Sequence, residues 1–253
     1  ELFGLDGLQK WGIKQNLLKQ EEDEIDAFMS KCIKEGLLPL KNLGNITFKG
    51  LKEEVDPVKA KFIEIAQNIE EENRIINVEI RNVKHDHGFA DFRITGTINS
   101  IYDDSYITYT FSKDPVKEKV RTFIRMLLLC SQSEIKSCIF IDKDGNQNEF
   151  SIFSEDVAKE RLKDLLSLFI KGNHNPLKFT LNSAKEALKD NATTYDIKNT
   201  FFKEAEGNYY AKPPMPGNKY INGLIEQVYF DQFEDQDADE IRMIAELLNL
   251  NTP

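Results

Sequence analysis

Between residues 74 and 142 the spacing of apolar residues changes period twice, and this limits the folds open to the chain more than any other feature. RIINVEIRNV (74–83), FADFRITGTIN (89–99) and SYITYTFSK (105–113) alternate with a period of two. They are rich in β-branched and aromatic residues, and His/Asp/Gly and Asp/Ser turns separate them. That pattern predicts an antiparallel meander. Asp114 and Pro115 then supply a helix cap and a favoured first-turn residue, and Val116, Val120, Phe123, Ile124, Leu127 and Leu128 form one face of a helix to about Cys130. SCIFID (137–142) is short and apolar, as a buried strand is. As the return strand of a strand-helix-strand crossover it is expected to run parallel to its partner. KDGNQ turns it into NEFSIF, so the pattern predicts a mixed α/β fold with a sheet of about five strands.

Both flanks read as helical. Residues 5 to 35 carry Leu5, Leu8, Ile13, Leu17, Leu18, Ile25, Phe28, Met29 and Ile33 at helical spacing, interrupted by the acidic run Glu21 to Glu24, which predicts two helices. Pro39 opens a turn. A further helix is expected from Leu43 to about Ile69, with Asp56-Pro57 as a candidate break. After NEFSIF, Ser154 and Glu155 are expected to cap a helix through Val157, Leu162, Leu165, Leu166, Phe169 and Ile170. Short helices are expected at 181–189, 194–206 and 237–250, with a Pro-rich strap at 209–220 and an acidic lead-in at 231–240. The chain thus divides into a helical lobe (1–72), a mixed sheet with its crossover helix (73–172) and a helical extension packing on that core (173–253).

The 253 residues are 40% apolar, enough for a packed core. The longest apolar run, MLLLC at 126–130, falls far short of the roughly 20 residues a membrane span requires, and Glu1-Leu2-Phe3 begins no signal or transit peptide. The missing initiator Met is what a piece of a longer protein would show. Cys32, Cys130 and Cys138 have no metal-ligand spacing and are expected to be buried thiols in a reducing cytosol. A net charge of −10 disfavours nucleic-acid binding by the whole surface. Residues 113–125 are the exception, with Lys113, Lys117, Lys119, Arg121 and Arg125 against Asp114 and Glu118, a local +3.

The hairpin TGTINSIYDDSYITYTFSK (95–113) has the outline of the metal-holding hairpin of PD-(D/E)XK nucleases. There one strand ends in Asp and the next carries acid-x-Lys, so that carboxylates and an ammonium converge on Mg²⁺. Alternation puts Thr95, Thr97 and Asn99 on one face, opposite Phe92, Ile94 and Ile98, so Asn99 stands where the Asp belongs. Phe111-Ser112-Lys113 replaces acid-x-Lys and keeps only the Lys. An amide and a phenyl ring bring no negative charge, so no metal, cofactor or catalytic residue is expected. Relocation of the acids to Asp103, Asp104, Asp91 or Glu79 is the alternative, and turn aspartates ordinarily bond nearby backbone N–H groups. His85-Asp86-His87 has only adjacent loop residues and reads as a solvated turn before a zinc site. Asp142-Lys143-Asp144-Gly145-Asn146 misplaces the glycine of a Ca²⁺ loop and reads as a hairpin turn. There is no phosphate loop with Lys-Ser/Thr and no G-x-S-x-G elbow. Lys117, Arg121 and Arg125 recur every four residues, beside the apolar face and just after Lys113. They are candidates for gripping DNA phosphates or an acidic partner, or for covering apolar surface with their stems.

FGLDGLQKWGIKQNLL, GLLPLKNLG and ITGTINSIYDDSYITYTFSKDPVKEKVRTFIRMLLLC, in that order, resemble the carboxy-terminal portion of RecC, the gamma subunit of bacterial exodeoxyribonuclease V, over roughly residues 3 to 250. The resemblance implies a PD-(D/E)XK-like domain that has lost its metal ligands and works beside RecB- and RecD-type subunits. Such a domain meets duplex DNA, separates its strands and supports subunit contacts in the cytoplasm during double-strand-break repair. By that resemblance Asn99 and Phe111 mark degenerate nuclease positions, and Lys113 is the one retained. The acidity of the chain and the short, negative Asp103-Asp104 turn depart from what a strand-separating surface requires.

Overall fold

A computed structural model of the chain describes residues 4–67, 69–208, 215–217, 223 and 233–250. Five strands form one sheet in the order β1-β2-β3-β4-β5: β1 Glu72–His85, β2 Gly88–Tyr102, β3 Ser105–Tyr109, β4 Ser137–Ile141 and β5 Gln147–Phe150. The connection of β1 to β2 is only two residues long, which permits an antiparallel pair alone. β2 and β3 are antiparallel through Ile101 with Tyr106 and Tyr102 with Ser105. β3 and β4 are parallel from Ser105 with Ser137 to Tyr109 with Ile141, as the crossover predicts. The crossover helix is α4, Val116–Cys130. The sheet is therefore mixed.

By contact density the chain divides into two compact units. The first combines Glu1–Glu72, Ser100–Glu118 and Ser137–Glu149; the second combines Asn73–Asn99, Lys119–Lys136 and Phe150–Pro253. In the first, α1 (Gly7–Lys19), α2 (Ile25–Lys34) and α3 (Lys41–Ala66) surround a core of Leu17, Cys32, Phe48, Leu51, Val55 and Val58, with Ile107 from β3 and Ile139 and Ile141 from β4. Asp6 caps α1 in a reciprocal box with Gln9. α3 runs unbroken through Pro57, against the candidate break. Val55 and Val58, both fully buried, flank the proline and hold the helix to the core, offsetting the roughly 3 kcal/mol that an interior proline costs.

In the second unit, α5 (Glu155–His174) follows β5. Its N-cap residue Ser154 is extended and its carbonyl accepts the first intrahelical bond, from Ala158 N–H, but the serine side chain makes no capping bond. Val157 and Phe169 on α5 are exposed rather than packed. Helices α6 (Leu181–Ala187), α7 (Thr194–Glu206) and α8 (Asp235–Leu247) gather Ala184, Ile197, Phe201, Phe233, Ala238 and Ile241 into a separate apolar cluster. Gly207–Asn208 pair with Met215–Pro216 in a two-residue antiparallel ladder. Residues 209–214 and 218–220 of the expected strap, and residues 231 and 232 of the acidic lead-in, lie outside the described residues. Cys32, Cys130 and Cys138 are all buried and in no disulfide. Among the described residues no helix is long and apolar enough to cross a membrane.

Candidate functional site

β2 carries Asn99, the first position expected to be degenerate. Thr95, Thr97 and Asn99 are exposed, Phe92 and Ile94 are half-buried and Ile98 is buried, as twofold alternation requires. The alternation then slips, because Ile101 is fully buried although it lies three residues beyond Ile98. The slip sits at Ser100, whose φ is +68°, and its N–H donates to Glu71 Oε1 at 3.0 Å. β1 slips in the same way between Ile80 and Val83, at Asn82 with φ +56°, whose N–H donates to Asp91 Oδ1 at 2.8 Å. Each slip has the character of a β-bulge: one extra residue, left-handed, with its freed N–H taken by a carboxylate. Asn99 thus adjoins a bulge that re-aims the strand.

Phe111 and Lys113 lie beyond the end of their strand, since β3 stops at Tyr109 and not at Lys113. Side chains take over the backbone bonding there. Thr110 N–H still reaches the Ile141 carbonyl at 3.0 Å, but Ser112 N–H turns to Thr110 Oγ1 at 3.1 Å, and Asp114 N–H to Ser112 Oγ at 3.2 Å. Asp114 Oδ1 accepts from Val116 N–H at 3.3 Å, starting α4. The Phe111 ring is half-buried against the first unit's core, 5.6 Å from Tyr109, with the Lys14 ammonium 5.7 Å from its centre. Lys14, nearly buried, is paired with Glu54. Tyr109 donates to Gln15 Oε1 at 2.8 Å, and burial holds its phenol above its ordinary pKa. Lys113 is exposed.

Two of the four acids offered as relocated ligands have backbone or ion-pair duties. Asp91 accepts from Asn82, and Glu79 pairs with Arg81 at 2.7 Å. Asp103 and Asp104 have φ of +48° and +62°, the doubly left-handed turn a two-residue hairpin uses. Asp142 Oδ1 accepts from Asp144 and Asn146 N–H, both at 2.9 Å, so this loop is the hairpin turn expected. Burial raises the Asp142 pKa, but the bonds from Asn146 and Asp144, with Lys143 beside them, together outweigh it and hold the carboxyl below its ordinary value.

On α4, Lys117, Arg121 and Arg125 are all exposed, while Phe123, Met126, Leu127, Leu129 and Cys130 are buried. The buried face is therefore rotated toward Met126 and Leu129, and Val116, Val120, Ile124 and Leu128 are only half-buried. Phe123 meets Phe150 and Phe153 at 6.5 and 6.3 Å between ring centres. At 1.5 Å per residue the stripe spans about 12 Å.

Periodicity missed three features. Gln132 donates to the Ile75 carbonyl at 3.2 Å and accepts from Asn77 N–H at 2.8 Å, so its amide covers part of the β1 edge. Glu71 sits beyond any motif. His174 joins the other two histidines, a juxtaposition only the fold creates.

A family model described as the RecC C-terminal domain matches residues 1–192, a span that takes in the whole five-stranded sheet and α1 to α6. No curated protein matches the chain.

Proposed function

The chain belongs to the RecC C-terminal domain family, and from that premise we propose that it is a noncatalytic nuclease-like module serving subunit assembly and the path of duplex DNA. RecC is the gamma subunit of exodeoxyribonuclease V, the RecBCD helicase–nuclease of DNA repair, so the partners in question are RecB- and RecD-type subunits. We assign residues 73–172 as the PD-(D/E)XK-like core, 1–72 and 173–253 as its helical flanks, and the cytoplasm as its compartment.

One observation carries the reading. The Phe111 ring packs beneath Lys14 into an apolar core, and on this reading it stands where a nuclease carries an acid. Asn99 adds an amide oxygen where a carboxylate belongs. Mg²⁺ dehydrates reluctantly and is bound through carboxylates, so neutral groups at both positions leave phosphodiester cleavage without its ion. The DNA contact is assigned to the α4 stripe of Lys117, Arg121 and Arg125, with Lys113 before it. Lysines and arginines of this kind fix a duplex through its phosphates without reading sequence.

The alternative is an active nuclease with relocated acids. Incubating the chain with linear duplex and Mg²⁺ or Mn²⁺ separates the two. The noncatalytic reading predicts no metal-stimulated digestion, and digestion abolished by Asp91→Ala or Asp104→Ala would sink it.

A further inference from the structure

Helices α1 and α2 stand side by side and leave a groove along one flank. The five residues from Gln20 to Glu24 join them, so α2 folds back along α1. Gln9, Gly12, Asn16 and Gln20 recur every three or four residues and form one wall. Ala27, Lys31 and Glu35 recur in the same way and form the other. Ile13 and Cys32, both buried, and the half-buried Phe28 make the floor. Phe48 of α3 backs the Phe28 ring at 6.1 Å between centres. The groove holds about 520 Å³, lies within the first unit and runs about 16 Å, some three helical turns.

Shape and charge together define what fits. Gly12 sits in the middle of its wall, and a Cβ added there would meet nothing within 4 Å, so the groove is not filled by its own neighbours. The wall on α1 is uncharged, and its amides bond the local backbone. Asn16 donates to the Gly12 carbonyl at 3.0 Å, Gln20 to the Asn16 carbonyl at 3.3 Å, and Gln9 Oε1 accepts from Asp6 N–H at 3.0 Å. Charge gathers at one end, where Glu21, Glu22, Asp23 and Glu24 stand exposed in succession. Of these only Glu22 has an ion-pair partner among the described residues, Lys52 at 3.5 Å. Lys19 next to them offsets only part of the run. Consecutive carboxylates repel phosphate, which argues against nucleic acid or an anionic membrane as the occupant. A trough of this length between two antiparallel helices has the shape that receives a third. The acidic run calls for basic residues at the end that covers it, and the partial positive charge of a helix N-terminus belongs at the same end.

We propose that this groove receives an amphipathic helix of a partner protein, with its apolar ridge on Ile13, Phe28 and Cys32 and its basic first turn over Glu21 to Glu24. The guest runs alongside α2 in the same direction and completes a three-helix packing. The inference rests on the assembly role proposed above and gives that role a surface, separate from the α4 stripe.

The test is fluorescence anisotropy of a labelled synthetic helix titrated with the full chain. The peptide has about 16 residues, apolar positions at i, i+3, i+4, i+7, i+8 and i+11, and Arg and Lys in its first turn. Saturable binding at a Kd of about 50 μM or tighter is expected, and the same peptide with Glu in place of those bases should bind about fivefold or more weakly. Gly12→Trp fills the groove with no neighbour to displace and removes a glycine from a helix interior. Its thermal midpoint should hold or rise while peptide affinity falls about tenfold or more. Ala27→Arg, on the exposed wall opposite, should bring the same loss and serves as the second variant if Gly12→Trp disturbs the fold. No saturable binding below about 100 μM, equal affinity for the acidic peptide, or affinity unchanged in both variants overturns the proposal. So does self-association in sedimentation, or retention on anionic vesicles, that Gly12→Trp abolishes, which would give the groove to a second copy or to lipid. The assay contains no other subunit, so it succeeds or fails apart from the assembly role, which co-purification with RecB- and RecD-type subunits reads.

Discussion

A Cβ on Gly145 would stand 2.6 Å from the Pro57 carbonyl oxygen, and Gly145 itself has φ +79°. Gly44 is tighter still, with Pro39 O only 2.1 Å from the same hypothetical atom. These are two places where the backbone needs a bare α-carbon, and Gly145→Ala is expected to cost about 2 kcal/mol or more in urea unfolding, from clash and left-handed strain together. That Gly145 makes a turn was legible from its neighbours; that the turn seats on α3 was not, because nothing local to either segment encodes the approach. Phe111→Asp, which puts an acid at the position the proposed function equates with a nuclease carboxylate, should lower stability by about 1 to 3 kcal/mol through lost packing without conferring cleavage. Tyr102 offers a pH test. Burial, with help from Glu71 and Tyr109, pushes its phenol up to about 12 from an ordinary 10.0. Its contribution to stability is whole below pH 10 and fades as pH climbs toward 12, because the unfolded chain loses this proton first. Thermal unfolding followed beside tyrosinate absorbance should show a decline of roughly 1 to 2 kcal/mol over that window, after allowance for solvent screening.

At the scale of elements, the type and order of each segment were readable from period, whereas ends and slips were not. β3 stops four residues before the end of its alternating run, because Ser112 and Asp114 satisfy the backbone locally instead of extending the ladder. The bulges at Asn82 and Ser100 leave no signature in composition, since both residues are ordinary strand-edge polars whose left-handed φ is held by Asp91 and Glu71. Gln132 shows another kind of illegibility, a side chain completing the edge of a strand far away in sequence. Gln132→Ala should expose Ile75 and Asn77 to pairing with a second molecule, cost about 1 kcal/mol, and raise self-association in sedimentation experiments. On α4 the stripe was predicted from four-residue spacing, and its three members are exposed. Three phosphate contacts predict that duplex affinity falls roughly 40-fold between 50 and 200 mM salt. Lys117→Glu with Arg121→Glu should flatten that slope by about two contacts.

For the molecule as a whole, a mixed sheet of five strands and the RecC C-terminal family were both within reach of the sequence, the first through the change of period at residue 74 and the second through ordered short motifs. The family match ends at residue 192, and α7 and α8 lie beyond it. The gathering of the histidines was out of reach, since His85-Asp86-His87 gives no local hint of His174. The proposed role requires that this chain hold DNA without cutting it. A native gel of end-labelled linear duplex, incubated with the chain in Mn²⁺ at low salt and then deproteinised in a parallel lane, reads both properties at once. The prediction is a retarded duplex that the stripped lane shows to be intact. A duplex shortened in the presence of Mn²⁺, or one that migrates freely at every protein concentration, would contradict it.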